Sequence, residues 1–386
     1  MAVQVSVGVS ETFDPVEAFA EAAEEAGHGL DAPCDLALVF AGASHLGHGK
    51  WILSAVHERL APRNLIGCGA GGVVGPAREI EDGPGAVVWA LSAPAATIAT
   101  HHLEVEPREG GVALHGAPDP DALGDALIVL ADPHSFSAEA LLAWLDDERP
   151  GLPVLGGLAS AAAAGSASLL LDGDVIDAGA VACSIAGIPF VPCVSQGAAP
   201  VGPEMTITAA EGNVISELAS MPALERLRDA VTELEPGERE LAAEGLMLGL
   251  VIDENQPEYV RGDFLVRPIV GADPERGEIT VAERVRVGQT VRMHVRDRAS
   301  ADEDLREALR AQALALGPEG AAGALLFTCN GRGSHMFEVP DHDAAAIEDA
   351  LGAPAGGFFC AGEFGPVGGR NYLHGFTATM AVFPRR

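Results

Sequence analysis

An order of predicted elements that occurs three times constrains the fold of this chain more than any other feature. In the first copy, residues 35–40 (DLALVF) form an apolar run typical of a buried strand. A helix is predicted at about residues 45–60, with Ser44 as its N-cap. A second strand at residues 65–68 runs into the glycine turn GAGG, and a further strand returns at residues 86–91. The order is strand, helix, strand, glycine turn and returning strand.

A second copy has the same order. It begins with the apolar run at residues 125–131 (DALIVLA), which is followed by a predicted helix at residues 138–147. A strand at residues 154–157 then runs into the small-residue turn LASAAAAG at residues 158–165. The returning strand is predicted at residues 180–185.

A third copy lies at the end of the chain. Its first strand is residues 324–329 (ALLFTC), and its helix is predicted at residues 343–351. The second strand, residues 357–360, ends in a glycine turn, and a strand returns at residues 375–383. Three copies indicate duplication of one α/β unit with a period longer than that of solenoid repeats.

The equivalent position in each copy is the end of the second strand. We expect this strand to lie parallel to the first, because a crossover helix joins them. On this alignment Cys68, Gly157 and Cys360 are equivalent. Open α/β sheets tend to bind ligands at the carboxyl ends of their strands, so each of these turns is a candidate site.

A different pattern separates the second and third copies. Its predicted elements are a connector at residues 200–204, a helix at 222–234, a strand at 245–252 and a three-stranded meander at 262–297. We therefore predict an α/β fold with mixed β-sheets flanked by helices, in two modules at residues 1–200 and 201–386.

The charge of the chain limits its partners. It carries 56 acidic and 23 basic residues, for a net charge of -33, and Lys50 is its one lysine. Such a field repels nucleic acid and anionic membrane, so neither is expected as a partner. The acids are scattered along the whole chain, as is typical of a solvated, self-repelling surface.

The cysteine spacing and the N-terminus both favour the cytoplasm. The six cysteines include no CxxC pair, which argues against a zinc knuckle or a disulfide scaffold and favours reduced thiols. The start, MAVQVSVGVSE, alternates like a strand and lacks the pattern of a signal peptide. No apolar run approaches the roughly 20 residues that a membrane span needs.

Two further motifs are weak. GCGAGG spells GxGxxG, but Pro76 and Pro84 follow where a dinucleotide site requires a helix, so no cofactor is expected. His45 and His48 form an HxxH pair with no acidic or cysteine ligand nearby in sequence, so no metal is expected.

Several stretches resemble the FIST family (F-box and intracellular signal transduction), with its N-terminal and C-terminal modules. They are LIGCGAGGVVGPAREIEDGPGAVVWAL, ALLFTCNGRG and GFFCAGEFGPVGGRNYLHGFTATM. The resemblance implies a sensory module that binds small ligands, with amino acids as the proposed class. Family modules are often joined to kinase, diguanylate cyclase, chemoreceptor or F-box segments. This chain shows none, so a stand-alone sensor with a separate signalling effector protein is expected.

Candidate ligand-binding residues follow the strand ends of the third copy. A guanidinium after the first strand could hold a carboxylate, and a buried carboxylate after the second could hold an ammonium. We therefore predict a site for a small-molecule ligand, with a zwitterion as the chemically suitable class. The candidate residues are Asn330, Arg332, Cys360, Glu363, Arg370, Asn371 and His374.

Alternatives remain open for the same residues. Cys360 with His374 and Glu363 could form a nucleophilic thiol centre of a hydrolase or transferase, if the histidine lowered the thiol pKa. Arg332 could instead be a solvated arginine paired with an acid such as Glu338. A third class, a protein-interaction scaffold, would use the edge of the meander at residues 262–297.

Overall fold

Two stretches of chain that are distant in sequence pack together as the larger of two compact units. The structure is a computed structural model that describes residues 3–108, 111–160 and 169–385. Unit 1 comprises Met1–Val194 and Leu305–Arg386, and unit 2 comprises Ser195–Asp304. The end of the chain therefore returns to the unit formed by its start. The two-module division at residue 200 stays a prediction.

The predicted helices of the three copies are present, with small differences at their ends. In the first copy the helix begins at Gly49, with His48 at the N-cap, and Ser44 lies in a preceding 3-10 turn. Ser44 is therefore not the cap. The α-helices are α1 (Pro15–His28), α2 (Gly49–Leu60), α3 (Ala138–Glu148), α4 (Ala223–Glu233), α5 (Pro236–Glu244), α6 (Arg298–Leu316), α7 (Ser334–Phe337) and α8 (His342–Leu351).

The three sheets of unit 1 share one strand order. Each has a leading strand, which precedes the copy in the chain, and then the returning strand, the first strand, the second strand and a two-stranded hairpin. The first sheet is β1 (Gln4–Ser10), β6 (Ala86–Ser92), β2 (Leu36–Ala41), β3 (Leu65–Gly69), β11 (Leu169–Leu171) and β12 (Asp174–Ile176). The second is β7 (Thr97–Arg108), β13 (Ala180–Ala186), β9 (Ala126–Ala131), β10 (Val154–Leu158), β24 (Glu363–Val367) and β25 (Arg370–His374), with β8 (Gly111–His115) beyond β7. The third is β14 (Val191–Gln196), β26 (Thr377–Pro384), β22 (Ala321–Cys329), β23 (Ala355–Cys360), β4 (Val73–Gly75) and β5 (Arg78–Ile80).

This shared order confirms the predicted α/β fold of mixed sheets built from related strand–helix–strand units. In each copy the first strand pairs with the second strand in parallel and with the returning strand in the antiparallel sense. Part of the predicted turn at 158–165, residues 161–165, lies outside the described residues.

The hairpins are exchanged cyclically among the copies. The hairpin β4–β5 of the first copy pairs with β23 of the third, and β24–β25 of the third pairs with β10 of the second. The hairpin β11–β12 of the second copy pairs with β3 of the first, which closes the cycle. Each sheet is therefore completed by another copy. The sequence pattern, which reveals local order only, did not predict the exchange.

The register corrects one predicted equivalence. The second strand of each copy has a glycine at the same position opposite the first strand: Gly67, Gly156 and Gly357. A Cβ at each glycine would lie 2.4, 1.9 and 1.7 Å, respectively, from a carbonyl oxygen of that strand. Cys68 therefore matches Gly157 and Phe358, and its predicted equivalence with Cys360 is wrong by two residues.

All three copies contribute to one central core in unit 1. Phe40 of the first copy stacks on Phe358 of the third, with ring centroids 5.1 Å apart. Trp89 donates an indole hydrogen bond to the carbonyl of Ala324 over 3.0 Å. Leu155 of the second copy belongs to the same buried cluster. Apolar burial between the copies therefore holds the sheets against one another.

Unit 2 is a closed ring of antiparallel strands. Its strands are β15 (Ala198–Glu211), β21 (Thr290–Arg296), β18 (Leu246–Val251), β19 (Phe264–Asp273), β20 (Glu278–Val281) and β16 (Val214–Leu218), with β17 (Met221–Pro222) attached to β16. Pairing of β15 with β16 closes the ring. Three strands are present at 262–297, as predicted, but they do not form a meander: β19 pairs with β20, whereas β21 pairs with β15 and β18. Each of the three strands has a partner on both sides, although β19 pairs with β18 through residues 264–268 and with β20 through residues 269–273. The predicted connector at 200–204 is instead part of β15.

Candidate functional site

The ends of the three second strands meet and are joined by hydrogen bonds. Ser160, after β10, accepts a hydrogen bond from the N–H of Gly71 at 2.9 Å and donates one to the carbonyl of Phe359. The N–H of Leu158 donates to the carbonyl of Gly362 at 2.8 Å. The predicted turn residues of all three copies therefore surround one place in unit 1, where the third copy supplies Cys329, Cys360 and Glu363.

Glu363 is the central polar residue at this place. It opens β24 and is fully buried. Its Oε2 accepts hydrogen bonds from the Thr377 hydroxyl at 2.8 Å and the Thr377 N–H at 3.3 Å. The Cys329 thiol also interacts with the carboxyl. Oε1 is buried, and no N–H or O–H of the described residues donates to it. Burial raises the pKa of Glu363 to about 8, although the bonds from Thr377 act in the opposite direction.

The equivalent residue in the other two copies is apolar. In each sheet, one hairpin residue pairs with the matched glycine: Leu170 with Gly67, Phe364 with Gly156 and Val74 with Gly357. The residues that precede these three are therefore equivalent. These are Leu169, Glu363 and Val73, and all three are fully buried. The same fold therefore accepts a leucine or a valine where the third copy has an acid.

The neighbours of Glu363 differ between the copies in the same way. The N–H of Gly42 donates to the carbonyl of Gly85 at 2.7 Å. In register, Gly42 is equivalent to Cys329 of the third copy, and Gly85 is equivalent to Thr377. A Cβ at Gly85 would lie 2.5 Å from Cγ2 of Val73. The first copy thus has no room for the Thr377 side chain that contacts Glu363. The first copy therefore lacks the polar cluster that Cys329, Glu363 and Thr377 form in the third.

The thiols at the site have raised pKa values. Cys329 and Cys360 lie opposite each other on parallel strands, and both are buried. Burial raises the pKa of the Cys329 thiol to about 12. Burial, followed by the nearby Glu363, raises the pKa of Cys360 well above its usual range. A nucleophilic thiol needs the opposite shift.

Arg332 is buried and already holds a carboxylate. Its Nε and Nη2 donate to Asp343 at 2.8 and 2.9 Å. Although burial opposes ionisation, the Arg332 guanidinium holds the pKa of Asp343 well below its usual range. The guanidinium also lies 5.0 Å from the centre of the Phe337 ring. The alternative of a solvated surface arginine is therefore wrong, and the fork predicted to bind a ligand carboxylate is occupied by Asp343.

The hairpin of the first copy anchors this ion pair. Oε1 of Glu79, on β5, accepts hydrogen bonds from the N–H groups of Asp343 and Ala344 at the start of α8. Glu81 accepts from the backbone and hydroxyl of Ser334. Burial raises the pKa of Glu79 to about 8, with the charge of Asp343 acting in the same direction. Sequence reasoning missed these residues, because no local signal links positions so far apart.

The remaining predicted residues fall into two groups. Asn330 is exposed beside the site, and its N–H donates to the carbonyl of Cys360 at 2.9 Å. His374 is paired with Glu363 in register, and its Nε2 lies 3.0 Å from the carbonyl oxygen of Gly365. Arg370 and Asn371 lie at the far end of β25, about 10–13 Å along the strand from His374.

Both residues at the far end of β25 have partners there. Arg370 pairs with Asp146 at 2.6 Å on the surface. Asn371 accepts from the N–H of Val154 at 2.9 Å and donates to the carbonyl of Leu152 at 2.7 Å. These contacts attach the exchanged hairpin to the second copy.

A short turn lies next to the site. Gly375 and Phe376, which directly precede Thr377, are half-buried. Phe376 has a left-handed φ of 62°, which is strained for an aromatic residue. Its ring lies against Gly331, where a Cβ would be 2.8 Å from the ring. Within the described ranges, no group of three or more His, Cys, Asp or Glu side chains could hold a metal ion.

Comparison with known proteins assigns the chain to a family. The FIST N domain matches residues 35–221, and the FIST C domain matches residues 223–366. The chain belongs to the FIST family. It is 43% identical over 386 residues to the uncharacterized protein Rv0628c of Mycobacterium tuberculosis, covering 98% of this chain and 99% of that protein. It is 43% identical over 384 residues to the uncharacterized protein Mb0898c of Mycobacterium bovis, covering 98% of each.

Membership of the FIST family indicates a broad role. FIST domains are associated with sensing in signal transduction. Both modules of the family are present on this one chain. Among the described residues, no helix has the length and apolar composition needed to cross a bilayer.

Proposed function

We propose that this FIST protein is a cytoplasmic small-molecule sensor, with amino acids as its ligand class and a separate effector protein as its output. The ligand binds beside Glu363, where the strand ends of the three copies meet. All six cysteines are free, which supports a reducing compartment.

One observation carries the proposal: the third copy buries a carboxyl where its fold does not need one. Val73 and Leu169 fill the equivalent position in the other copies. No N–H or O–H of the described residues donates to Oε1 of this buried carboxyl, and such burial costs free energy that an apolar residue at the same position avoids. Such a cost is expected at a binding site, which sacrifices stability for function.

The two alternative functions receive less support. Cys360 is buried with a raised thiol pKa, which opposes a nucleophilic role. The strands at 262–297 each have a partner strand on both sides, which leaves less open edge for a protein partner than the sequence predicted.

Thermal denaturation with a panel of the twenty amino acids at millimolar concentration tests the proposal. A ligand present at 100 times its Kd adds about 2.7 kcal/mol to the free energy of unfolding. We expect at least one amino acid to raise the melting temperature of the wild type and to leave that of Glu363→Val unchanged. Arg370→Ala, a surface change at the far end of β25, is the matched control and keeps the shift. A panel that shifts nothing, or a shift that survives Glu363→Val, excludes this site.

A further inference from the structure

The chemistry of the buried Glu363 suggests how a ligand would bind. Groups from several elements face it: Thr377 from β26, Cys329 from β22, Cys360 from β23, His374 from β25, and Arg332 from the loop after β22. Arg332 favours the charged carboxylate, but its guanidinium is already engaged by Asp343. The thiols carry no charge near neutral pH, because burial raises their pKa.

Among the described residues, the cation that acts on Glu363 is Arg332, and Asp343 already holds it. Burial then keeps the Glu363 carboxyl protonated at neutral pH, since its pKa is raised to about 8. The oxygen without an N–H or O–H donor is Oε1, while Oε2 is held by Thr377. An uncharged ligand group that approaches Oε1 meets a neutral acid. A positively charged group instead favours the carboxylate, which has lost its proton.

We propose that the ligand presents a positively charged nitrogen to Oε1 of Glu363, and that binding expels the proton of this carboxyl to solvent. This inference rests on the proposed function and adds its regulation by pH. The nitrogen keeps its own protons, and the O–H bond of Glu363 is the bond that breaks.

Proton release has a quantitative consequence for affinity. Each ligand bound below pH 8 must displace one proton, so affinity increases about tenfold per pH unit from pH 6 to pH 8 and then levels off. A ligand that instead accepts a hydrogen bond from the neutral acid binds with no proton exchange, and its affinity does not rise with pH.

Titration calorimetry on the full chain separates these cases. The probes are the amino acids that shift the melting temperature, their amides, which keep the ammonium and lose the carboxylate, and their deaminated acids, which lose the ammonium. Each is measured in phosphate and in Tris at pH 7, because the difference in buffer ionisation enthalpy reports the protons released. We expect amino acids and amides to release close to one proton, and deaminated acids not to bind.

Two variants assign the proton to a residue. Glu363→Gln keeps the shape of the side chain without its charge and should abolish both the binding and the proton release, while melting cooperatively. Glu79→Gln removes the other carboxyl with a raised pKa and should leave the proton release intact. Equal affinities at pH 6 and pH 8 with no proton released, or release that survives Glu363→Gln with binding intact, overturn the inference and leave the sensor in place. If no panel compound binds, the proposed function itself fails and this inference fails with it.

Discussion

The first and third copies of the repeated unit have the same strand order and differ in what they bury at the end of the second strand. The first copy places Val73 against Gly85, and the third places Glu363 against Thr377. The first arrangement is apolar and inert, whereas the second holds an acid with a raised pKa. Because the backbone is common to both, the fold itself does not require an acid at this position.

The turn after the first strand shows the same contrast. Residues His45 and Arg332 occupy equivalent positions, since each donates its N–H to the last residue before the turn, Gly42 or Cys329, at 2.8 Å. Both side chains are fully buried. Burial lowers the pKa of His45 and favours its neutral form, whereas Arg332 keeps its charge beside Asp343. The first copy therefore buries a histidine at this turn, where the third buries an ion pair.

The largest expected effect comes from breaking that ion pair. Arg332→Ala leaves Asp343 buried without its counter-ion, so we expect the free energy of unfolding to fall by about 3–5 kcal/mol, measured by denaturant titration. Arg370→Ala, which breaks a surface pair, should cost no more than about 1 kcal/mol. Similar small losses in both variants would mean that the charge of Arg332 is not buried as described.

The second effect is the dependence of stability on pH. The folded pKa of Glu363, about 8, lies above its ordinary value of 4.5. Its contribution to stability is therefore full below pH 4.5 and is lost as pH rises towards 8, by about 1.4 kcal/mol per pH unit. We expect Glu363→Val, the first-copy residue, to remove this part of the slope and to be more stable than the wild type at pH 7. Parallel stability curves for the two proteins between pH 5 and 8 would contradict the raised pKa.

The reverse exchange in the first copy should cost less. Gly85→Thr introduces the third-copy residue where a Cβ would lie 2.5 Å from Val73. Overpacking of this kind costs about 1–3 kcal/mol. Adding Val73→Ala to the same protein should recover part of the loss in thermal denaturation. A Gly85→Thr variant as stable as the wild type would show that the two copies are less different here than their packing indicates.

The smallest expected effect is the response to thiol reagents. Cys68 in the first copy and Cys329 and Cys360 in the third are buried with raised pKa values. Reaction of the native protein with Ellman's reagent at pH 7 should therefore be slow at all three, and complete only after denaturation. Rapid labelling of Cys360 alone would revive the thiol-enzyme alternative.

The sequence predicted the strands and the helix of each copy close to their observed bounds, because apolar runs and helix signals are local. The parallel pairing of the first and second strands is confirmed in all three copies. The equivalence of Cys68 with Gly157 is right, but that of Cys68 with Cys360 is wrong by two residues, because the matching residues are the glycines at positions 67, 156 and 357. Exchange of the hairpins depends on pairing between distant segments such as Val73 and Phe358, which no local pattern reports.

The binding role of the candidate residues stays a prediction, but the structure shows where each of them lies. Glu363 was recognised because a carboxylate among buried strands needs an explanation. The role given to Arg332 did not foresee Asp343, since many acids lie close in sequence and only packing selects one. Arg370 and Asn371 share the glycine-rich stretch with Glu363, but strand geometry carries them to the opposite end of β25.

The cyclic exchange of hairpins also affects how the protein is made. Synthesis from the N-terminus produces β4 and β5 long before β23, the strand with which they pair. Until the last segment leaves the ribosome, the first hairpin lacks its partner and β10 has an unfilled edge, and such edges invite wrong association. Non-local pairing of this kind also slows folding. A fragment that ends near residue 200 would keep these open edges permanently, so unit 1 should be expressed and refolded only as a complete chain.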